Sequence, residues 1–166
     1  MGSLKNELFG AWRLLSYIKI PIDGGDSYFP LGKSPKGILL YNPEGFMSLH
    51  ISASEEIHFD IQEDATARGE NAWKRPQGYI AFSGKYTVDS NLACVNYFIE
   101  TSLHPDWEDT KQVRKLNFEG DVLYQKTVEP IMSEGELVHA YMTWKRMDKE
   151  GDEALLLTEE IIQFEI

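Results

Sequence analysis

From residue 12 to residue 20 apolar and polar side chains change places at nearly every step. Trp12, Leu14, Ser16, Ile18 and Ile20 fall on one side and Arg13, Leu15, Tyr17 and Lys19 on the other. A period of two marks a strand with one buried face. The pattern recurs over residues 36–41, 46–52, 79–88, 93–101, 111–118, 122–127 and 137–146, which predicts eight strands. Most are separated by short turn sequences. Asn42-Pro43-Glu44-Gly45 sets proline at the second turn position and glycine where a positive φ is needed, while Asp89-Ser90-Asn91 and Glu119-Gly120-Asp121 make polar hairpin connections.

Three segments break the alternation. Residues 3–9 predict a short amphipathic helix, capped by Ser3 and ended by Gly10. Residues 21–35, with Pro21, Pro30, Pro35, Gly24, Gly25 and Gly32, predict a long loop. Residues 54–76 predict a helical insert of one or two turns around 63–73, weakened by Gly69 and stopped before Pro76. Residues 149–166 carry six acids and one lysine beside Leu155, Leu156, Leu157, Ile161, Ile162 and Phe164. That acidic extension is expected to pack an apolar stripe outside the sheet or against a second subunit, giving a homodimer.

Eight strands linked by hairpins predict an all-β fold, an antiparallel up-and-down barrel with a short N-terminal helix, a helical insert and a C-terminal extension. Closure at this number removes exposed edges and leaves room inside for side chains or one small ligand. One domain over residues 1–166 is expected, with the barrel at about 8–147 and the extension at 148–166.

Composition narrows the partners. The 166 residues hold 27 acidic against 16 basic side chains, a net charge of -11. That is the wrong sign for nucleic acid or an anionic membrane surface. The lone Cys94 cannot form an internal disulfide, and neither a leader pattern nor a long apolar run is visible, so a reducing, cytoplasmic setting is expected.

Gly10-Ala11-Trp12, at the head of the first strand, is similar to the Gly-x-Trp signature of lipocalin-type barrels. Further pieces extend the likeness: Pro30-Leu31-Gly32 before Gly37-Ile38-Leu39-Leu40-Tyr41, Asn42 to Ser48, Gly78 to Tyr86, Ser102-Leu103-His104-Pro105-Asp106-Trp107 and Gln112-Val113-Arg114. Together they resemble the small lipocalin-like domain family of bacteria and fungi, over roughly residues 8–147. The resemblance implies a barrel with a central ligand cavity. It also implies a choice of roles, since fungal members include cofactor-free enzymes that cyclise or isomerise small organic intermediates. The chain departs from the family in having Tyr97 and Phe98 where histidines are frequent and His50 where glutamine is common.

Alternation places Gln112, Arg114, Leu116 and Phe118 on one face of their strand, with Lys115 and Glu119 on the other. Arg114 and Gln112 are therefore expected to point inward. A guanidinium in an apolar cavity would bind a carboxylate, enolate or polarised carbonyl; the alternative is an internal ion pair with Glu100. Glu100 and His50 are the candidate acid–base groups, each with a purely structural alternative. His104 is expected at the barrel rim. Trp73, Tyr79, Tyr86, Tyr97, Trp107 and Tyr124 are the aromatic candidates for the cavity wall. Trp12 and Arg146 are expected to stack where first and last strands meet.

The sequence contains no glycine-rich phosphate loop and no Gly-x-Ser-x-Gly elbow. His50 and His58 are poorly spaced for a metal, and a triad of Glu100, His104 and His50 is the weakest alternative, so neither metal nor other cofactor is expected. The leading functional expectation is a cofactor-free enzyme that binds a small hydrophobic metabolite and promotes cyclisation or isomerisation, including pericyclic chemistry. A non-catalytic carrier using the same cavity is the rival.

Overall fold

Ser3 caps helix α1, Leu4–Leu8: its hydroxyl accepts from the Asn6 amide at 3.2 Å. Phe9 leaves the helix in an extended conformation and Gly10, at φ +120°, turns the backbone into the first strand. The computed structural model describes residues 3–54, 78–133 and 135–147. The insert expected around 63–73, including Trp73, and the extension after Met147, with the dimer contact expected of it, lie outside them.

Among the described residues nine strands follow: β1 (Gly10–Pro21), β2 (Lys36–Tyr41), β3 (Phe46–Ser52), β4 (Tyr79–Asp89), β5 (Cys94–Ser102), β6 (Lys111–Glu119), β7 (Val122–Thr127), β8 (Ile131–Ser133) and β9 (Glu136–Arg146). Neighbours pair antiparallel from β1 through β7, β7 pairs β9, and β9 returns to β1. The expected meander is thus a closed eight-stranded barrel. The ninth strand, β8, was not expected. It continues the lane of β7 along the early half of β9, after a break at Pro130, which has no N–H to give a ladder.

One end is sealed by apolar and aromatic packing. Leu8, Trp12, Leu39, Leu123 and Trp144 are fully buried there, and the Trp12 indole N–H donates to the Leu8 carbonyl at 2.8 Å. The Arg146 guanidinium lies 4.2 Å from the Trp12 ring centre and donates to the Phe9 carbonyl at 3.2 Å and to the Glu7 carbonyl. Helix α1 is thereby clamped across the closed end, in agreement with the Trp12–Arg146 stack read from sequence.

Two bulges decide which side chains face inward. In β1 the register against β9 slips between Leu14 and Ser16, leaving Leu15 as an extra residue. Trp12 and Leu14 point in before the slip, but Tyr17 and Lys19 point in after it. The uninterrupted face through Ile18 and Ile20 is corrected accordingly, since one inserted residue exchanges the two sides of a strand. In β4 and β5 the register slips between Ser83 and Gly84, opposite Thr101 and Ile99, and leaves Glu100 unpaired. Gly84 is needed at that crossing: a Cβ built there would sit 2.0 Å from the Phe98 carbonyl oxygen.

Candidate functional site

Away from the sealed end the barrel encloses a cavity of about 940 Å³. Its apolar wall includes Leu31, Leu49, Ile51, Phe82, Ala140 and Met142. Among the described residues it reaches the surface where Lys111, Glu129, Ile131 and Met132 are exposed. A space of this size suits one small organic molecule.

Arg114 and Gln112, two apart on β6, both line the cavity, as alternation requires. The Arg114 Nη2 donates to Gln112 Oε1 at 2.6 Å and its Nη1 to the Val113 carbonyl at 3.3 Å. Its guanidinium carbon stands 6.0 Å from the centre of the Tyr97 ring. Burial pushes the Arg114 pKa down, opposed by the nearby phenols of Tyr97, Tyr17 and Tyr41. No carboxylate pairs with it among the described residues. Of the five N–H donors of a guanidinium, two have partners among the described residues.

Beneath Arg114 lies a polar network that sequence reading missed. The Gln125 amide, on β7, receives the Trp144 indole N–H at 3.0 Å and donates to the hydroxyls of Tyr41 and Tyr97, each at 2.9 Å. Those two hydroxyls are also hydrogen-bonded to each other. Burial raises the pKa of Tyr97 and holds that of Tyr41 well above the ordinary range, the latter further raised by Tyr97, so both are neutral phenols near pH 7. Tyr17, another cavity residue not foreseen, is likewise raised by burial. The available signal was Gln125 and Thr127 alternating with Tyr124 and Lys126, which puts an amide on the apolar side of β7.

Trp107 stands in a short 3₁₀ turn, Pro105–Trp107, edge-on to Phe82 with ring centres 6.0 Å apart. His104 precedes it at the rim, 4.5 Å from the Trp107 ring, with Nε2 and the Tyr79 carbonyl 3.1 Å apart. Both line the cavity; Tyr79 borders it at the rim, but its ring lies on the outer face beside His50 and is no part of the expected aromatic wall.

Other nominated residues lie elsewhere. Glu100 is exposed, because Tyr97 and Ile99 take the inward positions of β5 and alternation turns Glu100 outward; neither the ion pair with Arg114 nor a base in the cavity survives. His50 is exposed on β3 between inward Leu49 and Ile51, with Nδ1 3.2 Å from the Tyr79 hydroxyl on the outer face. Tyr124 is exposed on β7 opposite the Gln125 side. Tyr86 points inward but belongs to the sealed end, donating to the Asn42 carbonyl at 2.6 Å and meeting Tyr41 edge-on at 5.0 Å. Among the described residues no three His, Cys, Asp or Glu side chains gather closely enough to hold a metal, and no helix is long and apolar enough to cross a membrane.

Comparison with known proteins agrees with the barrel. Over 109 residues, 62% of this chain and 98% of the relative, the sequence is 30% identical to the 4'-hydroxy-3'-methoxypropiophenone carrier protein of Aspergillus oryzae. The family described as the lipocalin-like domain matches residues 9–147, from the end of α1 to the end of β9. With a closed antiparallel barrel around a central cavity and a family match spanning that whole barrel, the chain belongs to the lipocalin-like domain family.

Proposed function

We propose that the protein binds a small, largely apolar organic molecule in the barrel and holds a carbonyl or anionic oxygen of that molecule on Arg114. The observation that carries this reading is the cavity-facing guanidinium with no carboxylate partner among the described residues. Buried charges are ordinarily paired, and the remaining N–H groups of Arg114 offer charge-assisted hydrogen bonds strengthened by the apolar wall. A phenyl ketone fits both halves of the site, the ring against Phe82 and Trp107 and the oxygen on Arg114. The fungal relative is named as a carrier of such a ketone. Carriage is favoured over turnover by the outward direction of Glu100 and His50, the two acid–base groups that the sequence nominated.

Titration with 4'-hydroxyacetophenone, followed by calorimetry, tests the site. Ala140→Phe places a ring in the cavity and should abolish binding while the barrel stays folded. Equal binding by wild type and Ala140→Phe would put the ligand elsewhere and end the proposal.

A second reading, enzymatic isomerisation or cyclisation, draws on the Arg114–Gln112 pair, which could stabilise an enolate as charge develops on a carbonyl oxygen. Deuterium uptake at the α-carbon of propiophenone in heavy water measures this. Exchange no faster than in buffer leaves carriage alone.

A further inference from the structure

The hydrogen bonds around Gln125 can be counted proton by proton. Gln125 donates through its single amide nitrogen toward both tyrosine hydroxyls, and that nitrogen can accept neither hydroxyl proton. Its oxygen is taken by Trp144. Two hydroxyl protons remain, one on each tyrosine, but only one can lie between the two oxygens. The described network therefore has one O–H donor in excess. Tyr97 lines the cavity and Tyr41 does not, so an acceptor entering the cavity reaches that proton only on Tyr97.

We infer that the cavity recognises a ligand with two separate oxygen acceptors, such as a hydroxyphenyl ketone, one held by Arg114 and the other by the surplus proton of Tyr97. Binding then orders the chain of donors, Tyr41 to Tyr97 and Tyr97 to ligand. This rests on the proposed cavity binding and deepens it. Both phenols are held neutral by burial, the state in which they donate. The Arg114 guanidinium and the Tyr97 ring are near neighbours, so both donors act on one small molecule.

The same count supplies a control. Tyr97→Phe and Tyr41→Phe each delete one hydroxyl of the pair and leave the other as acceptor for the Gln125 amide nitrogen, so their losses of folding stability should be similar. Their effects on the ligand should differ. In Tyr41→Phe the Tyr97 proton stays available to the cavity, whereas in Tyr97→Phe the remaining proton belongs to a residue outside it.

Three probes test this by calorimetry: 4'-hydroxyacetophenone with two oxygens, acetophenone with the ketone only and 4-ethylphenol with the phenol only. Wild type and Tyr41→Phe should bind the two-oxygen probe more tightly than either single-oxygen probe. Tyr97→Phe should lose about tenfold in affinity for the two-oxygen probe, the worth of one hydrogen bond to a buried donor. If both tyrosine variants lose affinity equally, or neither does, or the second oxygen gives no advantage, the inference is overturned while cavity binding stands. If none of the three probes binds wild type, the cavity proposal falls and takes the inference with it.

Discussion

Replacing Arg114 by methionine separates a residue kept for folding from one kept for a ligand. Methionine is unbranched and of similar reach, so it can follow the same path over Tyr97 into the cavity. Had Arg114 been half of a buried ion pair, its removal would strand a charge and cost about 3–5 kcal/mol. No such partner is present among the described residues. What is lost is the pair of hydrogen bonds to Gln112 Oε1 and the Val113 carbonyl, and what is gained is relief from keeping a lone guanidinium out of bulk water. The depressed pKa of Arg114 has the same cause. Exchange of buried ionic groups for apolar ones is often neutral or stabilising by about 1–4 kcal/mol, so urea unfolding of Arg114→Met should show a midpoint equal to or above that of wild type. Binding should move the other way. Loss of a hydrogen bond from a charged donor, about 1.5–3 kcal/mol, weakens 4'-hydroxyacetophenone roughly 10- to 150-fold in calorimetry. A variant destabilised by about 3 kcal/mol or more, or one that binds the ketone as wild type does, would refute the reasoning.

Alkaline pH tests the buried phenols. Tyr17, Tyr41 and Tyr97 have folded pKa values raised above the ordinary 10.0, so the protonated form is favoured in the native state. Their contribution is fully present below about pH 10 and lost as pH rises from there toward the folded values, at about 1.4 kcal/mol per pH unit for each tyrosine. Tyr41→Phe should shallow the fall in unfolding free energy between pH 10 and 11.5 by about one proton's worth; an unchanged slope would contradict its burial as a neutral phenol. Gly84→Ala forces a methyl onto the Phe98 carbonyl and should cost about 3 kcal/mol in chemical denaturation, and a loss under 1 kcal/mol would place the bulge wrongly. Glu100→Gln and His50→Gln should each leave ketone affinity within about twofold of wild type, because both side chains face outward; a tenfold loss in either, by the same calorimetry, would bring that residue back to the site.

Alternation by itself determined the eight barrel strands, the hairpins between them and the inward direction of Arg114 and Gln112, because side-chain facing along a regular strand depends only on neighbouring residues. Ser3 and Gly10 bounded α1 for equally local reasons, a side-chain cap and a backbone angle suited to glycine. The Gly-x-Trp start together with the motifs between Pro30 and Arg114 carried the family likeness. Tertiary structure alone decided the faces beyond each bulge. Leu15 and Glu100 are extra residues only relative to a partner strand, and nothing local to Leu15 announces the slip that turns Tyr17 and Lys19 inward. The network of Tyr41, Tyr97, Gln125 and Trp144 draws on β2, β5, β7 and β9, and Gln125 sits 84 positions from Tyr41. Such a meeting exists only once the barrel has closed, since closure, and no short-range preference, brings those four strands around one interior.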